Sequence, residues 1–321
     1  MTTFLSELRH LAIEAEATEG TDPVVAAADA LIIARNCEYT PELEFFERQV
    51  RRNTFSPIQA VPGIRHGGIS FEFDLAANTT ATADWSAALI GCGFAKTGSA
   101  GTETYQPAAA GSASVTIADY VFPVSGNPYR RALVGARGEV EFSAVAGGTL
   151  MAKCSFLGAY QAPTSPSALS TPSYDSEQAT PPRFAGVGFA LTAGGLISTE
   201  AILASWSLKM NNVLTPRVDA STGTSGIPSV AMTGRAPSGS FEVELPAFAD
   251  WDLYAALAAG TTGSMSFAIG TTPLKLTFTL GNVMMKAAAP VNAGGIERVR
   301  IDYSAYATAI ANSDEITIVQ S

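Results

Sequence analysis

Ile69-Ser70-Phe71-Glu72-Phe73-Asp74-Leu75 alternates residue by residue. On an extended chain Ile69, Phe71, Phe73 and Leu75 fall on one side, and Ser70, Glu72 and Asp74 on the other. That is a strand with one face against a core and the other toward water. The pattern returns as Ser240-Phe241-Glu242-Val243-Glu244-Leu245, and Arg235 precedes this copy at the offset at which Arg65 precedes the first. Asp84-Trp85 returns as Asp250-Trp251, and Val140-Glu141-Phe142-Ser143-Ala144 as Ile301-Asp302-Tyr303-Ser304-Ala305. Three matches in one order imply an internal duplication.

The duplication sets the expected organisation. Residues 1–28 precede the first copy as an N-terminal arm, residues 29–161 form the first unit, and residues 183–321 the second. Between them lies a linker, Ala162–Pro182, in which Pro163, Pro166, Pro172, Pro181 and Pro182 sit among Ser and Thr. Each unit reads as a first strand and a short helix, then more strands. In the first unit Asp84 is the expected N-cap of a helix ending near Gly91, and the later strands are Ser114–Phe122, Gly138–Ala146 and Leu150–Tyr160. In the second the helix runs Ala249–Ala259 and stops at Gly260. Its strands are Gly263–Ile269, Leu274–Met285, Glu297–Tyr306 and Glu315–Val319. The fold class that follows is mainly β, two tandem barrel or sandwich domains, each with a flanking short α-helix. In the arm, Phe4, Leu5, Leu8, Leu11 and Ala12 recur at helical spacing, which predicts a helix over Thr3–Ala17. It either reaches a neighbouring subunit or folds back on its own domain.

Composition narrows the function. Of 321 residues 47% are hydrophobic and only 15% charged, which excludes a disordered chain and suggests extensive surface between subunits. The net charge of −10 argues against a protein that grips nucleic acid by its phosphates. It suits a surface that DNA passes without sticking. Cys37, Cys92 and Cys154 are odd in number and widely spaced, with neither disulfide-framework nor metal-site spacing, and read as free thiols. No apolar run approaches the roughly 20 residues that span a bilayer, and Met1 to Ala12 lacks a secretory pattern. The expectation is a chain assembled in a reducing cytoplasm, with no membrane partner.

Catalysis has little material. His10 and His66 are the only histidines, too few and too far apart for a nucleophilic triad. Gly91-Cys92-Gly93-Phe94-Ala95-Lys96-Thr97 has Ala95 where a phosphate loop needs glycine, and reads as a post-helix turn. The carboxylate pairs Glu72/Asp74, Glu139/Glu141 and Glu242/Glu244 lie two apart on strands, without an aromatic-lined sugar cleft. The expectation is no enzyme, no cofactor and no metal.

Several segments together resemble the phage tail tube proteins, the major tail proteins of long non-contractile-tailed bacteriophages. They are Glu19-Gly20-Thr21-Asp22-Pro23 with a strand at Ala30–Ala34, Gly135-Ala136-Arg137-Gly138 leading into Glu139–Ser143, and Gly147-Gly148 before the Leu150–Gly158 strand. Ser205–Asn212 and Ser238–Leu245 complete the set. The longer N-terminal arm departs from the family pattern. The resemblance implies a virion structural protein whose rings stack into a hollow tail, with DNA passing through the lumen at ejection. Two tube-like domains per chain imply a trimer with pseudo-sixfold symmetry rather than a hexamer, with other tail proteins at the tube ends.

On this reading Glu72, Asp74, Glu139, Glu141, Glu242 and Glu244 face the lumen, the competing place being the outer wall. Arg65 and Arg235 are expected to hold carboxylates of an adjacent domain or subunit, the competing reading being solvated turn arginines. A receptor- or carbohydrate-binding β-sandwich, such as a tail spike or decoration protein, is the alternative function. Trp85 and Trp251, at equivalent helix positions, read as core anchors and give it little support.

Overall fold

The structure is a computed structural model and describes residues 3–23, 31–32, 34–79, 82–109, 112–166, 174, 180–192, 202–222 and 225–321. In chain order the first half supplies β1 (Phe4–Ala15), β2 (Leu31–Ile32), β3 (Arg35–Phe46), β4 (Val61–Asp74) and helix α1 (Ser86–Gly91). β5 (Phe94–Thr97), β6 (Thr104–Pro107), β7 (Val115–Pro123), β8 (Tyr129–Val145) and β9 (Leu150–Tyr160) follow. The second half supplies β10 (Ala190–Leu191), β11 (Leu203–Lys209), β12 (Val213–Arg217), β13 (Ser229–Gly234), β14 (Ser238–Glu244) and helix α2 (Leu253–Ala259). It ends with β15 (Thr262–Thr271), β16 (Leu274–Ala293), β17 (Ile296–Tyr306) and β18 (Thr317–Gln320). Among the described residues the fold is mainly β with two short helices, as the alternating patterns require.

Alternation explains what each strand buries. Phe71, Phe73, Phe241 and Val243 are at most 2% exposed, while their neighbours Glu72, Asp74, Glu242 and Glu244 are half-buried on the opposite face. Strand order follows the same plan in both halves. β4 pairs with β9, β9 with β8 and β8 with β7; β14 pairs with β17, β17 with β16 and β16 with β15. The match of Val140–Ala144 with Ile301–Ala305 is therefore off by one strand. By pairing order β17 stands where β9 stands, not β8. Alternating six-residue strands resemble one another closely enough to align at the wrong neighbour.

The halves are joined rather than merely adjacent. β8 has 17 residues and serves two partners along one edge, β7 beside its first part and β11 beside its last five residues. β18 returns to pair with β6. One hydrophobic cluster draws on both halves: Phe142 meets Phe278 edge to face at 5.8 Å, and Trp206 packs on Phe267 and Phe278.

The predicted helix over Thr3–Ala17 is instead the strand β1, in register with β7 from Arg9–Val121 to Ala15–Val115. Its middle is covered on both faces, Leu11 and Ile13 by the main core and Ala12 by Ala118, Tyr120 and Ala132, while Phe4–Leu8 stay exposed. A strand covered on both sides loses the two-residue alternation that would reveal it, and pairing outweighs the helical propensity of its Leu, Glu and Ala. Polar contacts fix it further. Arg9 donates to both oxygens of the buried Asp119, at 3.0 and 2.8 Å. The Glu16 carboxylate accepts from Ser114, Thr116 and the backbone N–H groups of Gly20 and Gly135, at 2.6–2.7 Å. The arm's described strand thus lies on its own chain.

The helices are shorter than expected. α1 has Trp85, not Asp84, as N-cap and lacks a capping side chain. Trp85 is fully buried and donates its indole N–H to the Ala76 carbonyl at 2.8 Å. α2 starts at Leu253 rather than Ala249, because the Asp252 carboxylate caps it through the Ala255 N–H at 3.0 Å. It stops at Gly260, whose φ of 61° is the left-handed C-cap geometry glycine allows. Most of the linker 162–182 lies outside the described residues; of the strand expected at Ala30–Ala34, Leu31–Ile32 form β2, and Ala30 and Ile33 lie outside the described residues. Within the linker Thr164 bridges to Arg130.

Candidate channel and assembly surface

Register brings all six singled-out carboxylates to one place. Glu72 lies opposite Lys153, Lys153 opposite Glu141, and Glu141 opposite Lys209. Lys209 lies opposite Ser238, and Ser238 opposite Ser304. Residues directly opposite across a ladder share a face. Glu72, Asp74, Glu139, Glu141, Glu242 and Glu244 therefore share one face of a continuous sheet running β4–β9–β8–β11–β14–β17. The opposite face carries Phe71, Phe73, Val140, Phe142, Phe241 and Val243 into the core.

The face is not bare carboxylate. Asp74 accepts from the Arg35 guanidinium at 2.7 Å and from Thr149 at 2.6 Å. Glu72 accepts from Asn36 at 2.8 Å, with Lys153 Nζ 3.9 Å away. Glu242 takes Arg298 Nη1 at 3.2 Å, and Glu244 lies opposite that same arginine. These cations were not singled out from the sequence. Arg298, Arg300 and Asp302 do alternate with Val299, Ile301 and Tyr303 in the written chain, so their shared face was legible. Which strand lay opposite was not.

Glu139 has a structural task. It accepts the backbone N–H of Asn211 at 2.8 Å and also that of Asn212, closing the turn between β11 and β12 where Asn211 takes a φ of 52°. Burial lifts its carboxyl above the ordinary value, partly opposed by those two N–H groups and the Lys209 charge.

The two arginines differ. Arg235 holds Glu315 with two nitrogens, Nε at 3.1 Å and Nη2 at 3.3 Å, and donates Nη1 to the Ala108 carbonyl of the other half at 2.6 Å. Arg65, on β4 opposite Leu43, has no carboxylate within ion-pair distance among the described residues.

Apolar side chains stand exposed at the far end of β3 and beyond it: Leu43, Phe45, Phe46 and Phe55. Phe4, Leu5 and Leu8 at the start of β1 form a second exposed group. Among the described residues no group of three His, Cys, Asp or Glu side chains is placed to hold a metal, and no helix is long and apolar enough to cross a membrane. The thiols of Cys37, Cys92 and Cys154 are free.

The fold and this face thus define a β-rich protein whose distinctive surface is a broad, regular polar sheet face flanked by exposed apolar groups. A family model described as phage tail tube protein matches residues 7–307. The chain belongs to that family, a structural component of the phage virion tail. Among curated proteins, no relative matches the chain.

Proposed function

We propose that the chain closes into rings that stack as the hollow tail tube, with the polar face of β4–β9–β8–β11–β14–β17 turned to the lumen through which phage DNA passes. The observation that carries this reading is the gathering of all six carboxylates on one face of one unbroken sheet. Among the described residues that sheet runs from β3 at one end, paired only with β4, to β15, whose outer side is met only by the two-residue β10. Edge strands carry unpaired backbone groups, and closing a ring edge to edge removes them. The exposed Phe45, Phe46, Phe55, Phe4 and Leu8 supply apolar surface for neighbouring subunits.

The two halves, 29–161 and 183–321, act as two tube-like units joined by the linker 162–182. Three chains then place six units around the axis. Carboxylates tethered by Arg35, Arg298 and Lys153 keep their position on the wall while leaving those cations largely occupied, so passing DNA meets few free positive groups. Assembly takes place in the host cytoplasm before the tail is complete. Negative-stain microscopy of the purified chain tests the reading. Filaments with a central hole support it, and compact closed oligomers favour a spike or decoration protein.

A further inference from the structure

The polar face is not uniform. Between β11, β14, β17 and β16 it sinks into a depression of about 340 Å³. Its middle row is Lys209, Ser238 and Ser304, directly opposite one another across three strands, and Met284 continues the row on β16 beyond the lining. At one end stands the Lys209 ammonium. At the other a register shift between Met285 and Ala287 inserts Lys286 beside Met284, over the Tyr306 ring at 5.4 Å. Arg300 completes the set from β17. All three cations are exposed. Lys209 and Lys286 have no carboxylate within 4.0 Å among the described residues, unlike Lys153, Arg35 and Arg298 on the same face. Two carboxylates line the depression: Asp302 lies 3.5 Å from Arg300 Nε, and Glu141 stands in register between Lys153 and Lys209 without an ion pair to either.

Three cations against two carboxylates, floored by serine hydroxyls, leave a local excess of positive charge on a chain whose net charge is −10. Lys209 and Lys286 stand on strands about 14 Å apart, three strand spacings. That separation suits an extended row of phosphates better than one ion. We propose that this depression is a contact site for the phosphodiester backbone of DNA, one per chain, set in an otherwise acidic wall. The inference rests on the lumenal reading of this face. In a ring it would give the wall a weak, repeated hold on DNA, so that the duplex slides from site to site while the neighbouring carboxylates prevent it from adhering.

The test is fluorescence anisotropy of a labelled 12-base-pair duplex with the full chain at low salt, comparing the wild type with K209A/K286A/R300A. The expected result is at least a tenfold weaker affinity for the triple variant. Its log-affinity against log-salt slope should be shallower by about 2 to 3, since each lost phosphate contact removes about 0.9. S304D, which adds a negative charge without removing any cation, should weaken binding as well and covers the case in which the triple variant fails to fold. R51A/R52A, on the exposed connection between β3 and β4, should bind as the wild type does. Equal binding by the wild type and S304D, or a loss confined to R51A/R52A, would overturn the proposal. So would displacement of the duplex by about 1 mM inorganic phosphate at constant ionic strength, which would assign the depression to a free anion. Tubes that form from a chain indifferent to the duplex sink this inference alone, whereas a chain that binds the duplex and forms no tubes sinks the ring reading.

Discussion

Arg235 and Glu315 face each other fork to fork, Nε to Oε1 at 3.1 Å and Nη2 to Oε2 at 3.3 Å, both side chains largely withdrawn from water. The pair ties the approach to β14 to the approach to β18, and the remaining Arg235 nitrogen reaches the Ala108 carbonyl in the other half. R235A would leave the Glu315 carboxylate half-buried and alone, and should cost about 2 kcal/mol of stability. R235K should recover only part, because an ammonium cannot reproduce the fork. R65A should stay within about 0.5 kcal/mol in the unassembled chain. Urea denaturation of the three variants checks this, and equal losses for R65A and R235A would contradict it.

Gly239 is demanded by a close approach. A Cβ there would collide with the Ser207 carbonyl and stand 2.7 Å from the Tyr303 hydroxyl, which itself donates to that carbonyl at 2.9 Å. G239A should therefore lower stability by about 1–3 kcal/mol, the usual cost of forcing atoms into a filled site. G147A makes a useful contrast: nothing lies within 4 Å of its Cβ, so its cost comes only from a φ of 82°. The same denaturation assay would show G239A no worse than G147A if the packing were loose.

Glu139 gives the fold a pH dependence of definite sign. Burial raises its carboxyl pKa above the ordinary 4.5, so within that window the folded chain keeps a proton that the unfolded chain has released. Its contribution to stability consequently falls as pH rises through the window. E139A frees two backbone N–H groups and should cost about 1–3 kcal/mol. The stability difference between wild type and E139A should be larger near pH 4 than near pH 7. A difference that grew with pH would reverse the assignment.

Much of this was legible in the written sequence, and the limits are specific. The alternation of Phe71, Phe73, Phe241 and Val243 gave the two key strands and the buried face, and Gly260 marked a helix end. β1 was misread because its middle, Leu11–Ile13, is buried on both sides, which hides the period of two there. Asp84 was misread as a cap because Trp85, held by its indole N–H to Ala76, sets where α1 begins. The carboxylates could be found from local pattern alone. Their partners Arg35, Lys153 and Arg298 could not, because cross-strand register is a tertiary property that spacing along one strand does not encode.

The polar wall predicts a salt-dependent defect. Replacing Glu72, Asp74, Glu242 and Glu244 with lysine breaks pairs to Lys153, Arg35 and Arg298 and sets like charges face to face. Each lost surface pair is worth about 0.2–1 kcal/mol, so the chain should fold with a lower Tm and still assemble. Virions carrying the change should eject DNA poorly, and worse at low salt, where screening is weakest. Ejection at the wild-type rate at low salt would contradict a lumenal position for these residues.

The most direct test is a cryo-electron microscopy reconstruction of tubes grown from the purified chain. The account predicts rings of three chains with six similar units about the axis, and the face bearing Glu72, Glu141 and Glu242 turned inward to an open channel. Rings of six chains would contradict the trimer, and a map with this face on the outer wall, or a tube with no channel, would contradict the central claim.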